Sequence, residues 1–407
     1  MTRLSRETRR TQAKLLLSMG KAISEAGAPA HRLESSMQVL LDKFKMEGNF
    51  FSMPTALLAT LGDEEIQRTY MVRTTPNDID LEKISDLSDV ITRLEDDELN
   101  INDAYAEIKR INQAKPRYKT GLMVFCIGLA SASLAGLFQG SWIDVGVSLL
   151  MGWLTALIIV FSKKHDHLSL LFTPIAATIV GFTAMSISYF SESIDHFIVS
   201  LAGLIILVPG LGITTAIREL STGHLVSGSA RMAGAVTTFL LLSFGLALGF
   251  MLAMGIYGEV EIHKLASVPQ WFVYLSIIII SFAFTVLFNA KPIDFIWVLL
   301  TAFIAIMGSK LAGVWLESPF SSFAAVLGVS IAGNVFALIT KKPASIMHIP
   351  GVMLLVPGSI GFKSLEAMLH NQTLDGVQTA FSALLVAVAL AVGLIAGNLF
   401  VPPRKAL

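Results

Sequence analysis

Ten stretches of this chain are apolar over about the 20 residues a helix needs to cross a bilayer. They lie near 119–138, 142–162, 168–190, 196–217, 229–257, 269–288, 292–312, 320–340, 345–367 and 376–400. Between Arg117 and Lys405 the charged residues fall at or near the ends of these stretches. The first 115 residues are patterned differently. Leu15, Leu16, Met19 and Ile23 share one helical face, and Leu33, Met37, Leu40, Leu41 and Phe44 share another, with Gly27-Ala28-Pro29 between them. Residues 49–61 and 66–73 read as a strand pair joined by Gly62-Asp63-Glu64-Glu65, with Pro54 demoting part of the first strand to an edge or bulge. Leu81, Ile84, Leu87, Ile91 and Leu94 predict a third helix, and Tyr105, Ile108 and Ile111 a fourth. The expected order is ααββαα, with Glu95-Asp96-Asp97-Glu98 as a solvated turn.

Two of the long apolar stretches are interrupted at corresponding places. Val208-Pro209-Gly210 lies inside one and Val356-Pro357-Gly358 inside another, 148 residues apart, and Gly228, Gly245 and Gly249 meet Gly376, Gly393 and Gly397 at the same offset. A proline removes a backbone donor and clashes with the preceding turn, and a neighbouring glycine loosens the helix further. Ile143-Asp144 and Ile293-Asp294 add a match at offset 150. Five crossings in each copy would invert the second relative to the first. Paired helix breaks in two such halves point to the binding site of a secondary transporter.

Composition supports this division. The chain is 54% hydrophobic with mean hydropathy +0.67, too apolar for an ordinary soluble domain. Residues 1–115 hold 16 Lys/Arg and 19 Asp/Glu, leaving 14 and 11 for the rest. With the N-terminus inside, Arg117, Lys119, Lys163, Lys164, Arg218, Arg231, Lys291, Lys341, Lys342, Arg404 and Lys405 collect on the cytoplasmic side, against Lys264, Lys310 and Lys363 outside. Lys/Arg bias sets orientation, so both termini are expected in the cytoplasm. The N-terminus, basic but with no clean apolar h-region after it, reads as no signal peptide. Zero net charge gives no sign of nucleic-acid binding, and the single cysteine, Cys126, excludes an internal disulfide framework.

Candidate chemistry gathers at the breaks. Past each proline a new half-helix begins with unpaired N–H groups and a positive dipole end. Pro209, Gly210, Gly212, Thr214 and Thr215, with Pro357, Gly358, Ser359 and Gly361, are therefore candidates to hold a small carboxylate, and Asn334 adds an intramembrane amide. Asp144, Asp294, Arg218, Glu219 and His348 are candidates for coupling or gating. Asp144 and Asp294 equally suit helix N-caps, Arg218 and Glu219 a surface pair, and His348 an interfacial histidine without a role. In the soluble part, His31, Arg32 and Glu34 form either a polar site or a solvated helix start. His165-Asp166-His167 sits in a basic loop and is not assigned a metal. Neither a cofactor motif nor a nucleophile or metal set for an enzyme is seen.

Gly27-Ala28-Pro29-Ala30-His31-Arg32-Leu33-Glu34, Phe51-Ser52-Met53-Pro54-Thr55, and the run from Leu207-Val208-Pro209-Gly210 through Gly223-His224 to Gly228 resemble the threonine/serine exporter (ThrE-type) family. The likeness covers nearly the whole chain in the fused two-module form. It implies a plasma-membrane secondary exporter of threonine and serine powered by the proton gradient. Relatives with separate modules are associated with succinate export. The resemblance carries over no site residues.

The expectation is an all-α polytopic membrane domain of ten transmembrane helices, a 5+5 inverted repeat, behind a small cytoplasmic α+β domain. Its boundaries are 1–115, 116–258 and 266–402. The expected function is proton-driven export of small polar carboxylates across the plasma (inner) membrane. A dicarboxylate (succinate) exporter and a passive channel are the alternatives. The expected partners are the small-molecule substrate, protons and the lipid bilayer, and a homo-oligomer is compatible with the sequence.

Overall fold

The computed structural model describes residues 6–63, 66–75, 78–191, 193–258, 265–356, 358–369 and 372–403. The chain opens with α1 (Arg6–Glu25) and α2 (Ala30–Phe44), then β1 (Gly48–Met53), β2 (Ala56–Asp63) and β3 (Ile66–Arg73), then α3 (Leu81–Glu95) and α4 (Ile101–Gln113). The three strands form an antiparallel sheet in the order β1-β2-β3, with Met53 paired to Ala56 and Asp63 to Ile66. The stretch 49–61 is thus a hairpin and not one strand. Pro54 and Thr55 form its two-residue turn, where a missing N–H costs no ladder bond. The expected helical faces are the core: Leu15, Leu16, Met19, Ile23, Leu33, Met37, Leu40 and Leu41 are fully buried with Leu57 and Ala59 of the sheet.

The rest is helical: α5 (Thr120–Leu137), α6 (Trp142–Ser162), α7 (Asp166–Phe190), α8 (His196–Leu204), α9 (Gly210–Ser221), α10 (Leu225–Tyr257), α11 (Gln270–Leu287), α12 (Phe295–Ala312), α13 (Phe320–Thr340), α14 (Ser345–Leu355), α15 (Gly358–Leu369) and α16 (Thr373–Phe400). Among the described residues, nine spans are long and apolar enough to cross a membrane. There are ten when the bent pair His196–Leu207 and Gly210–Ser221 counts as one. The protein is a multi-pass membrane protein.

Equivalent helices make equivalent contacts. α5 packs on α6, α6 on α8, α7 on α10 and α9 on α10; likewise α11 packs on α12, α12 on α14, α13 on α16 and α15 on α16. The two sets meet through α5 against α11, α9 against α16 and α10 against α15. The matching aspartates each tie two elements together, although only Asp144 caps its helix. Asp144 forms a capping box with Ser141 and accepts the Asp195 N–H at 2.9 Å, tying the start of α6 to the start of α8. Asp294 is ion-paired with Lys342, tying the entry of α12 to the entry of α14. Each buried carboxylate therefore anchors the broken span of its own half.

The α+β unit sits on one end of the helical unit. Backbone N–H groups of Leu81 and Glu82 donate to the carbonyls of Phe288 (2.9 Å) and Asn289 (3.1 Å). Glu82 pairs with Arg117, and Asp86 with Lys291 at 2.6 Å. The acidic α3 start thus meets the basic helix ends.

Candidate functional site

The first break is built from its sequence. α8 ends at Leu204, a short 3-10 turn covers Ile205–Leu207, and Val208 is extended (φ −68°, ψ 120°). Pro209 then precedes α9, whose N-terminus has no side-chain cap, and the halves meet at 54°. In the second break Val356 is likewise extended (φ −59°, ψ 135°) before α15 begins at Gly358. Pro357 and the side chain of Ser359 lie outside the described residues.

The two breaks touch, and they do so reciprocally. A Cβ on Gly210 would overlap Val356 Cγ1, and a Cβ on Gly358 would stand 2.6 Å from Val208 Cγ1. Val208 and Val356 are equivalent at the 148-residue offset, as are Gly210 and Gly358, so each valine covers the glycine of the other break. A cavity of about 70 Å³ lies between this crossing and the central pair α5 and α11. Leu134, Phe138, Phe284 and Leu287 line it from one side, and Ile205, Ile206, Met353 and Leu354 from the other. All of these side chains are apolar. The last carbonyls of a helix have no intrahelical partner and form its negative end. Ile205 and Ile206 belong to the turn after α8, and Met353 and Leu354 to the last turn of α14, so the C-terminal ends of both first half-helices lie beside the cavity. The N–H ends of α9 and α15 do not line it.

The structure distributes the other expected residues differently. Thr214 is buried, and its hydroxyl donates to the Gly210 carbonyl at 3.2 Å. Thr215 is half-buried, Gly212 faces Ala235 of α10, and Gly361 packs on Phe239. Asn334 is fully buried, but its amide donates to Asn398 Oδ1 (2.9 Å) and the Val401 carbonyl (2.8 Å), tying α13 to the end of α16. His348 is buried against Gly333, with Nε2 3.2 Å from the Ser330 carbonyl oxygen.

Arg218 and Glu219 are not a pair with each other, because adjacent helical positions do not share a face. Glu219 is fully buried and accepts four hydrogen bonds: from the Ala30 N–H (2.9 Å), Ser227 Oγ (3.0 Å), and Arg231 Nε (3.2 Å) and Nη2 (3.3 Å). Glu34 accepts the Ser52 N–H at 2.8 Å and faces His224 Nε2 at 3.1 Å. The start of α2 is therefore not solvated. It is seated on the end of α9 and the beginning of α10. His31 lies in this seam with both ring nitrogens buried and without a hydrogen-bond partner, its ring edge-on to His224. Burial, then the neighbouring Arg218 and Arg32, lower its pKa from 6.5 to about 2, so it is held neutral. Burial likewise lowers the pKa of Arg32.

Sequence reasoning missed Ser227, His224 and Arg231 as partners of this seam. The signal available was Glu219, an acid beside an apolar run with no partner three or four residues away.

A threonine/serine exporter (ThrE) family profile matches residues 14–253, and a companion ThrE profile matches residues 273–400. The chain belongs to the threonine/serine exporter family. The first profile starts in α1, runs through both faces of the seam and the first break, and ends in α10; the second covers the equivalent helices after it. Curated relatives of this ThrE-family chain include pheromone-regulated membrane protein 10 from Debaryomyces hansenii, 28% identical over 96% of the chain and 42% of that protein. The protein of the same name from Kluyveromyces lactis is 25% identical over 96% of the chain and 44% of its own length. Uncharacterized protein C7D4.12c from Schizosaccharomyces pombe is 24% identical over 96% and 55%. The ThrE-family chain spans about half the length of these relatives. No solved structure matches it.

Proposed function

We propose that this chain is a secondary active exporter of small polar carboxylates, threonine and serine first, working by alternating access. In this reading a cytoplasmic domain (1–115) is followed by two five-helix modules (116–258 and 266–402) that are inverted across the plasma membrane, with both termini inside. The observation that carries it is the reciprocal crossing of the two breaks beside the cavity. A pivot made of equivalent segments from two halves suits rocking of one half against the other. The repeated helix contacts support the duplication. The basic helix ends that contact the α+β unit support its cytoplasmic placement.

The cavity favours an amino acid. Helix carbonyl ends attract a cation, so they suit the ammonium group of threonine or serine better than succinate, which has none. The carboxylate end would meet the amides of α9 or α15 only when the valine–glycine crossing opens. Coupling to protons follows the family expectation. Counterflow in proteoliposomes loaded with threonine, serine or succinate tests the reading. Exchange of labelled threonine or serine is expected, and uphill uptake on imposing a pH gradient separates a pump from a passive channel. Absence of exchange with all three compounds would overturn it.

A further inference from the structure

The strongest group the proposed transport path does not use is Arg218. It lies two turns into α9, about 12 Å along the axis from Gly210 at 1.5 Å per residue. It is 9% exposed, and its Nε is buried without a hydrogen-bond partner. Among the described residues no carboxylate lies within ion-pair distance of its guanidinium, since Glu219 is taken by Arg231 and the Ala30 N–H, and Glu34 faces His224. Arg32 from α2, His31 beside it and His348 from α14 lie within its electrostatic reach.

An arginine removed from water without a counter-charge is costly. Arg231, in the same seam, shows the usual solution, a bidentate approach to a carboxylate. Arg218 has the same planar fork and nothing to receive. Among the described residues, the titratable groups within its reach are Arg32, His31 and His348, none of them an acid.

We propose that Arg218 is the carboxylate anchor of the seam between α2, α9 and α14: a small carboxylate entering when the α2 start lifts from α9 pairs with its guanidinium before the breaks open. The proposal rests on the transport reading and assigns that reading a first binding station. Arg218 pulls the carboxylate inward, and the cavity further along, beside the C-terminal ends of the first half-helices, takes the ammonium group once the crossing parts. An arginine at this point also makes the carboxylate, and not the side-chain hydroxyl, the feature required for entry.

The test uses the full chain in detergent and in proteoliposomes. Ligand-dependent thermal unfolding is measured with L-threonine, L-serine, sodium succinate and the carboxamides of threonine and serine. At least one carboxylate is expected to raise the midpoint in a saturable way while the amides do not. Arg218→Gln should weaken that binding at least tenfold, and Arg218→Lys by less, since it keeps charge without the fork. Equal binding of threonine and its amide, no stabilisation by any of the three carboxylates, or wild-type affinity in Arg218→Gln would each overturn the proposal. The wild-type comparison stands even if a variant does not fold. Counterflow separates the two claims. Exchange that survives Arg218→Gln with unchanged KM sinks the anchor and leaves the exporter. Carboxylate binding that needs Arg218, without exchange in the wild type, upholds the anchor and sinks the exporter.

Discussion

At the scale of single residues, the decisive positions are those where one atom more or less changes who can touch whom. Gly210 carries no Cβ because Val356 occupies that space. Gly210→Ala is therefore expected to destabilise the protein by roughly 1–3 kcal/mol through overpacking. Val356→Ala in the same chain should restore much of that loss, and a double-mutant cycle on the thermal unfolding of the purified protein reads the coupling. Additive effects would show that the breaks do not press on each other. Glu219 is the opposite case, a buried charge with every acceptor position used. Glu219→Gln leaves Arg231 without its partner, and a loss of roughly 3–5 kcal/mol is expected. Chemical denaturation checks it, and a loss below about 1 kcal/mol would contradict the buried network.

His31 sets a pH dependence whose sign follows from its environment. Seated, its pKa lies near 2; released into water it returns toward 6.5. Between those values the released domain binds a proton that the seated one does not. Seating is thus unaffected by this group above about pH 6.5 and weakens as pH falls below it, by about 2 kcal/mol at pH 5. Hydrogen exchange in α2 at pH 7 and pH 5 measures this. Referred to the intrinsic, base-catalysed rate at each pH, protection of α2 is expected to be lower at pH 5 than at pH 7 in the wild type, and this loss should shrink in His31→Phe, whereas an equal loss of protection in both would refute it.

At the scale of elements, the long spans were legible because apolar length and end-placed charge are one-dimensional signals. The β-hairpin was less so. A proline inside an apolar stretch marks a bulge, an edge or a turn, and only the pairing of Met53 with Ala56 decides for the turn. Asp144 and Asp294 were legible as equivalents, and Asp144 as a cap, whereas Asp294 stands at the start of α12 without a side-chain capping bond. The tie each makes to the entry of its own broken span was not legible, since Asp195 and Lys342 are about fifty residues further along. Asp144→Ala removes a capping box and this tie, so a loss of about 1–2 kcal/mol is expected in thermal unfolding. Asp144→Asn, which keeps one acceptor, should lose less.

At the scale of the whole molecule, the α+β unit is seated on the helical unit by the α2 start on one side and the α3 start on the other. Its residues do not line the cavity at the breaks. Deleting residues 1–100 is expected to change the rate of threonine or serine exchange while leaving a membrane-inserted protein that still exchanges substrate. A folded truncated chain with no flux would instead place the pathway inside the deleted unit.

The sequence alone determined the spans, their interruption at two equivalent prolines, the separate α+β unit and the family resemblance. Each depends on residue type and spacing along one dimension. The tertiary structure alone decided that the two breaks cross valine to glycine, that an apolar cavity lies there beside the ends of both first half-helices, and that Arg218 turns away from Glu219 into a seam with α2. Such facts depend on which distant surfaces meet. An apolar helix face accepts many partners at similar free energy, and only close packing of the assembled chain selects among them.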